Sequence, residues 1–215
     1  EVGHAFHNQM VNDLRLLSKR YPATLSETAS TFGELLFSEG MFNDPNISDE
    51  QKLAALDGDL TGTAILLLDI PVRFEFERKY HEERMKGELT VTRFKELMVE
   101  TQREIFGDAL IEGGEDPYFW VSKLHFYLTY ITFYNYPYVF GFLLARQLFN
   151  RFQKEGKAFL PQYEEFLRLT GQDTVENVVK RSLGSDITDP AFWAEAIHTY
   201  EAPIEKYRQL LAKRR

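Results

Sequence analysis

Apolar and ring-bearing positions recur at helical spacing from the start of the chain. His4, His7, Val11, Leu14 and Leu17 (or Leu16) share one face, which predicts an amphipathic helix over residues 1–20, broken at Tyr21-Pro22-Ala23. Thr24-Leu-Ser-Glu27 has the form of a capping box, with a second helix expected to about Glu39. Gly40 to Ile47 reads as a loop, and Ser48-Asp-Glu as the N-cap of a long segment over 49–86. Gly58, Gly62 and Pro71 interrupt that segment, so a break or kink is expected near Ile70-Pro71. Thr90 or Thr92 opens a helix to about Phe106, followed by a loop from Gly107 to Asp116.

The aromatic stretch 118–138 favours a strand by local propensity. In this context it is read as a short helix, an irregular Tyr-rich loop, and a helix continuing to about Lys154. Residues 158–170, 174–182 and 190–212 read as three more helices, the last started by Asp189-Pro190. No segment alternates convincingly and none repeats. The expected fold is all-α, with 1–215 as one helical domain.

Composition narrows the function. Hydrophobic residues are 44% and charged residues 27%, ordinary for a water-soluble globular chain. The net charge of −8, from 25 basic and 33 acidic residues, argues against nucleic acid or an anionic membrane as partner. The basic end Lys213-Arg214-Arg215 suits a helix C-terminus. With no cysteine, disulfides and thiol chemistry are excluded and a reducing, cytoplasmic setting is expected. The apolar runs 64–68 and 139–145 are too short to span a bilayer.

The first residues, Glu1-Val-Gly-His4-Ala-Phe-His7, look like an H-E-x-x-H zinc-protease motif lacking its first histidine. There, two histidines four apart bind one metal and the Glu takes the proton of water. No Met precedes Glu1, so the chain is expected to be a fragment of a longer protein. Glu27 lies 23 positions past His4, far enough for a second helix to pack back and offer a carboxylate. Such a Glu is also the expected N3 residue of the capping box. Glu34, two turns on, suits either a carboxylate orienting a ligand histidine or a solvated or ion-paired helix residue. Tyr127, Tyr130, Tyr134, Tyr136 and Tyr138 gather phenols near His125, either as packing or as donors to an oxyanion. His7 is expected to be packing or to support a ligand, and His81 and His198 to lie at the surface.

Three stretches, E-V-G-H-A-F-H, E-T-A-S-T-F-G-E and H-F-Y…F-Y-N-Y-P-Y-x-F-G, occur in this order, with Leu183–Trp193 as a closing segment. Together they resemble the C-terminal part of the oligoendopeptidase F branch of the thimet-oligopeptidase family of zinc metallopeptidases. The resemblance implies one Zn²⁺ held by His4, Glu27 and a histidine upstream of Glu1, with Glu1 as general base. It implies His125 with Tyr138 or Tyr134 as oxyanion donors, and Tyr130 and Tyr136 as alternatives. It further implies short peptides as substrates, a cleft shared with an N-terminal part of the same protein, and weak zinc binding and little activity for this portion alone.

Two other readings stand beside it. Glu1-x-x-His4 and Glu195-x-x-His198, with Glu27 and Glu75, suit a ferritin-like di-iron bundle. A non-enzymatic helical interaction domain would leave the three motifs to coincidence.

Overall fold

A computed structural model describes residues 1–213, and among them every regular element is helical. The all-α expectation holds. By its contacts the chain divides into two compact units: one joins Glu1–Thr61 to the chain from Phe140 on, and the other is Gly62–Val139.

In the first unit α1 (Val2–Val11) buries Gly3, His7 and Val11, a stripe of every fourth residue. The helix stops well short of the expected residue 20. Asn12 and Asp13 are poor helix formers, and Arg168 binds the Met10 carbonyl at 2.8 Å and both Asp13 carboxylate oxygens at 2.8 and 2.9 Å. A short 3₁₀ turn, Leu16–Lys19, follows, with Leu16 and Leu17 turned outward.

Helix α2 (Ala23–Asn43) starts behind Pro22, and no side chain caps it. The expected capping box at Thr24 does not form, because Thr24 already lies inside the first turn. The helix also runs through Gly40, since Phe42 packs onto a small core of Leu53, Leu56 and Leu210. Helix α3 (Asp49–Ala64) carries Leu53 and Leu56.

In the second unit α3 passes through one π turn, Ile65–Asp69, into α4 (Ile70–Arg84). Pro71 has no N–H to offer the Leu67 carbonyl, and the widened turn absorbs the fault. The interruption expected at Ile70-Pro71 therefore appears as a π turn just ahead of it. Helix α5 (Val91–Phe106) begins where Thr90 accepts a hydrogen bond from the Arg93 N–H. Val72 and Phe76 of α4 pack on Leu97 and Met98 of α5, with Phe94, Trp120 and Phe126 around them. Two 3₁₀ turns, Phe119–Ser122 and Leu124–Tyr127, lead into the Tyr-rich loop.

Helix α6 (Tyr136–Glu155) begins in the second unit and supplies the central core of the first. Leu144, Ala145, Leu148 and Phe149 pack with Leu25, Ala29 and Phe32 of α2. They also meet Phe159, Tyr163, Phe166 and Leu167 around α7 (Leu160–Leu169), and Val178, Val179 and Leu183 of α8 (Val175–Leu183). Gly184, at φ +65°, closes α8 in the left-handed conformation that favours glycine.

The expected helix 190–212 is two helices, α9 (Pro190–His198) and α10 (Glu201–Ala212). Pro203 cannot donate to the Thr199 carbonyl, so the ladder fails there. Arg146 takes up the freed group: its Nη2 donates to Thr199 O at 3.2 Å and its Nε to Thr199 Oγ1 at 2.7 Å.

Candidate active site

The first set of expected site residues is built where α1 crosses α2. A Cβ on Gly3 would lie 2.0 Å from the Ala29 carbonyl oxygen, whereas one on Gly33 would lie 3.7 Å from Gly3 N. The bare Gly3 backbone thus allows α1 to rest directly on α2, which brings the next residue, His4, to Glu27. His4 Nε2 and Glu27 Oε2 stand 3.6 Å apart, and both side chains are partly exposed. That gap exceeds a hydrogen bond and is close to the roughly 3.3 Å edge of a tetrahedron of N and O donors at zinc distance. With no capping box to occupy it, the Glu27 carboxylate is available as a ligand. Glu1 is the exposed residue at the N-cap of α1, and its carbonyl accepts from the Ala5 N–H at 3.0 Å. Among the described residues, no group of three or more His, Asp or Glu side chains is placed to hold a metal.

His7, one turn beyond His4, is wholly buried. Its Nε2 lies 2.8 Å from Thr170 Oγ1 and 3.2 Å from the Leu167 carbonyl, and its ring stacks on Tyr21 at 4.0 Å. Burial, and to a lesser degree the neighbouring His4, push its pKa down to about 4, against the opposing backbone hydrogen bond. It is therefore neutral at pH 7 and serves as packing that ties α1 to α7. Burial and the charge of Glu27 raise the Tyr21 phenol. On the other side of Glu27, a Cβ on Gly141 would come within 2.9 Å of the Glu27 Cβ, so α6 also presses on this residue. Glu34 is exposed.

The second set lies in the other unit. His125, Tyr134 and Tyr138 form a triangle of rings, with centroids 5.4, 6.2 and 5.9 Å apart. Tyr130 is 83% exposed, and Tyr136 turns toward Phe74 at 6.3 Å. The structure therefore brings Tyr134 and Tyr138 to His125 and leaves Tyr130 and Tyr136 outside the triangle. Burial, followed by the charges of Arg73 and Lys123, lowers the His125 pKa. A neutral imidazole and two phenols are N–H and O–H donors suited to a developing oxyanion.

The residues of the other readings have ordinary surroundings. Glu195 is exposed and 3.5 Å from Lys154, and His198 turns its Nδ1 to the Ala194 carbonyl at 2.8 Å. Glu75 pairs with Arg78 at 2.8 Å. His81 is half-buried against Tyr80 and Phe133 rather than free at the surface.

The polar side of α4 and of the turn before it carries groups that the motifs did not mark. Asp69, Arg73 and Glu77 recur every fourth residue beside the buried Val72 and Phe76, and Glu77 is itself buried. A row of charges at helical spacing against an apolar stripe was the available signal.

The profile of peptidase family M3 matches residues 1–199, and the chain belongs to that family. Among its relatives, Oligopeptidase PepF of Bacillus subtilis is 29% identical over 99% of this chain and 31% of its own length. Group B oligopeptidase PepB of Streptococcus agalactiae is 24% identical, and the chromosomal Oligoendopeptidase F of Lactococcus lactis 23%, each over 99% of this chain and 35% of its own. The resemblance read from the three motifs is borne out. In fold the chain is similar to the crystal structure of oligoendopeptidase-F from Enterococcus faecium (TM-score 0.79, 22% identity), covering 98% of this chain and 38% of that one. The chain thus spans about a third of the length of the curated relatives it matches.

Proposed function

We propose that this chain is the C-terminal helical catalytic part of a zinc-dependent endopeptidase that hydrolyses short peptides. The observation that carries this reading is the His4–Glu27 pair, brought to 3.6 Å at a crossing that only a glycine at position 3 allows. Membership in a peptidase family supports it. His4 and Glu27 would hold the ion together with a histidine preceding Glu1 in the longer protein. Bound there, zinc supplies Lewis-acid polarisation of the scissile carbonyl and makes water acidic enough to deprotonate near pH 7.

The chain's own residues do the rest. Glu1, three residues before His4, takes the proton of the attacking water as its oxygen bonds to the carbonyl carbon. His125 and Tyr138 or Tyr134 donate hydrogen bonds to the oxyanion, more strongly there than to the planar carbonyl. As the C–N bond breaks, Glu1 passes its proton to the leaving amine, leaving a carboxylate and a free amine as products. The substrates are oligopeptides bound in a cleft shared with the N-terminal part of the protein. The absence of cysteine fits a reducing cytoplasm, and no helix among the described residues is long and apolar enough to cross a membrane.

Glu1→Gln in the longer protein tests the reading. Turnover of a short internally quenched peptide should fall by at least about 1,000-fold while the protein retains its zinc. Hydrolysis at the wild-type rate would remove Glu1 from the mechanism.

A further inference from the structure

Phe133 is the one non-glycine residue among those described with a positive φ, +54°. It immediately precedes Tyr134 in the loop that carries the His125–Tyr134–Tyr138 triangle. A bulky side chain does not hold that conformation unaided. The constraint comes from α4. The Phe133 N–H donates to Glu77 Oε1 at 2.7 Å. Glu77 is only 3% exposed, one turn before His81, whose Nε2 is 3.8 Å away. The Phe133 ring is wedged between Phe74 and His81, at 5.4 and 5.5 Å.

The residue after Tyr134 is fixed from the same helix. Asn135 is 1% exposed, and its Oδ1 accepts from Arg73 Nη1 at 3.3 Å. Arg73 is in turn paired with Asp69 one turn earlier. The Asn135 carbonyl then accepts from the Tyr138 N–H at 3.3 Å, starting the turn of helix that carries Tyr138. The residues on either side of Tyr134 are thus held by two polar side chains of one helix, the buried Glu77 and the partly buried Arg73, and Tyr138 hangs from the same anchor.

We propose that Glu77 and Arg73 are positioning residues that set Tyr134 and Tyr138 against His125 and so act on the reaction through those phenols. The proposal rests on the oxyanion role assigned above. Glu77 is the more informative member, because a carboxylate in an apolar helix packing is costly to bury and contributes nothing to the local core. The bond it makes defines the backbone immediately before Tyr134.

The test is made in the longer protein with an internally quenched peptide. Glu77→Ala removes the acceptor, and kcat should fall about 100-fold, as for a donor displaced by about 1 Å, with KM little changed. Glu77→Gln keeps an acceptor oxygen and should recover most of kcat, which a requirement for buried charge would not allow. In a Tyr134→Phe background, Glu77→Ala should cost far less than in wild type, because it acts through a phenol already gone. If Glu77→Ala does not fold, Asn135→Ala cuts the second anchor and carries the same expectation. A wild-type kcat in Glu77→Ala, or a loss confined to KM, would overturn the proposal while Tyr134→Phe and Tyr138→Phe still showed reduced kcat. Wild-type kcat in both tyrosine variants would instead overturn the oxyanion role, and this proposal with it.

Discussion

Gly3→Ala is the smallest change that should separate His4 from Glu27. The added Cβ would sit 2.0 Å from Ala29 O, 2.5 Å from Ala29 C and 2.7 Å from Ser30 Cα, all backbone atoms of α2 that no rotamer can move. Reaching ordinary contact requires the start of α1 to retreat by roughly 1–1.5 Å. The same displacement opens the 3.6 Å His4–Glu27 gap to about 5 Å, beyond what two ligands of one ion can span. Overpacking of this kind costs about 1–3 kcal/mol. In a chain of this size that is a fall in Tm of roughly 2–12 °C, with zinc affinity in the longer protein reduced by at least about 10–100-fold. Gly33→Ala is the internal control at the same crossing. Its Cβ meets nothing closer than 3.7 Å, and Ala is better than Gly inside a helix by about 0.5–1 kcal/mol. Thermal unfolding and metal titration of the two variants side by side decide the matter. A Gly3→Ala protein that unfolds at the wild-type temperature and binds zinc normally would refute the close-crossing argument.

Three further outcomes follow from the geometry. The folded-state pKa of His7 is depressed to about 4 from 6.5, so its stabilising contribution is intact above pH 6.5 and is lost as the pH falls toward 4. Urea unfolding should show wild type losing about 3 kcal/mol more than His7→Gln between pH 7 and pH 4, and parallel pH curves would contradict this. Arg146→Met should cost about 2–3 kcal/mol in denaturant unfolding by removing the two bonds to Thr199; a loss below about 0.5 kcal/mol would show that water replaces the guanidinium. Thr170→Val deprives the buried His7 ring of the partner at 2.8 Å and should destabilise by about 1–3 kcal/mol, with an unchanged midpoint as the contrary result.

Some features that depend on neighbours along the chain were legible, although the capping box expected at Thr24 did not form. Thr90, one of the two starts offered, opens α5, the expected helix 174–182 appears as α8, and Asp189-Pro190 starts α9. Features decided by distant partners were not visible. α1 ends at Val11 because Arg168 binds Asp13 from 155 positions further along the chain. α2 outruns Gly40 because Phe42 has a core to reach. Pro203 was a local signal left unused, and it divides the last helical stretch in two. The site shows the same division. The motifs marked His4, Glu27 and His125 as candidates and ranked Tyr138 and Tyr134 ahead of Tyr130 and Tyr136, but they did not show how those tyrosines are held. Nor did they show that Glu77, 56 residues before Phe133, fixes the backbone beside Tyr134.

The most direct test of the central claim is the metal content of the longer protein, wild type beside Glu27→Ala, measured by elemental mass spectrometry. A zinc peptidase of this design should carry about one zinc per chain and lose most of it in the mutant, together with peptide hydrolysis. Two irons per chain, or no metal in either protein, would contradict the account.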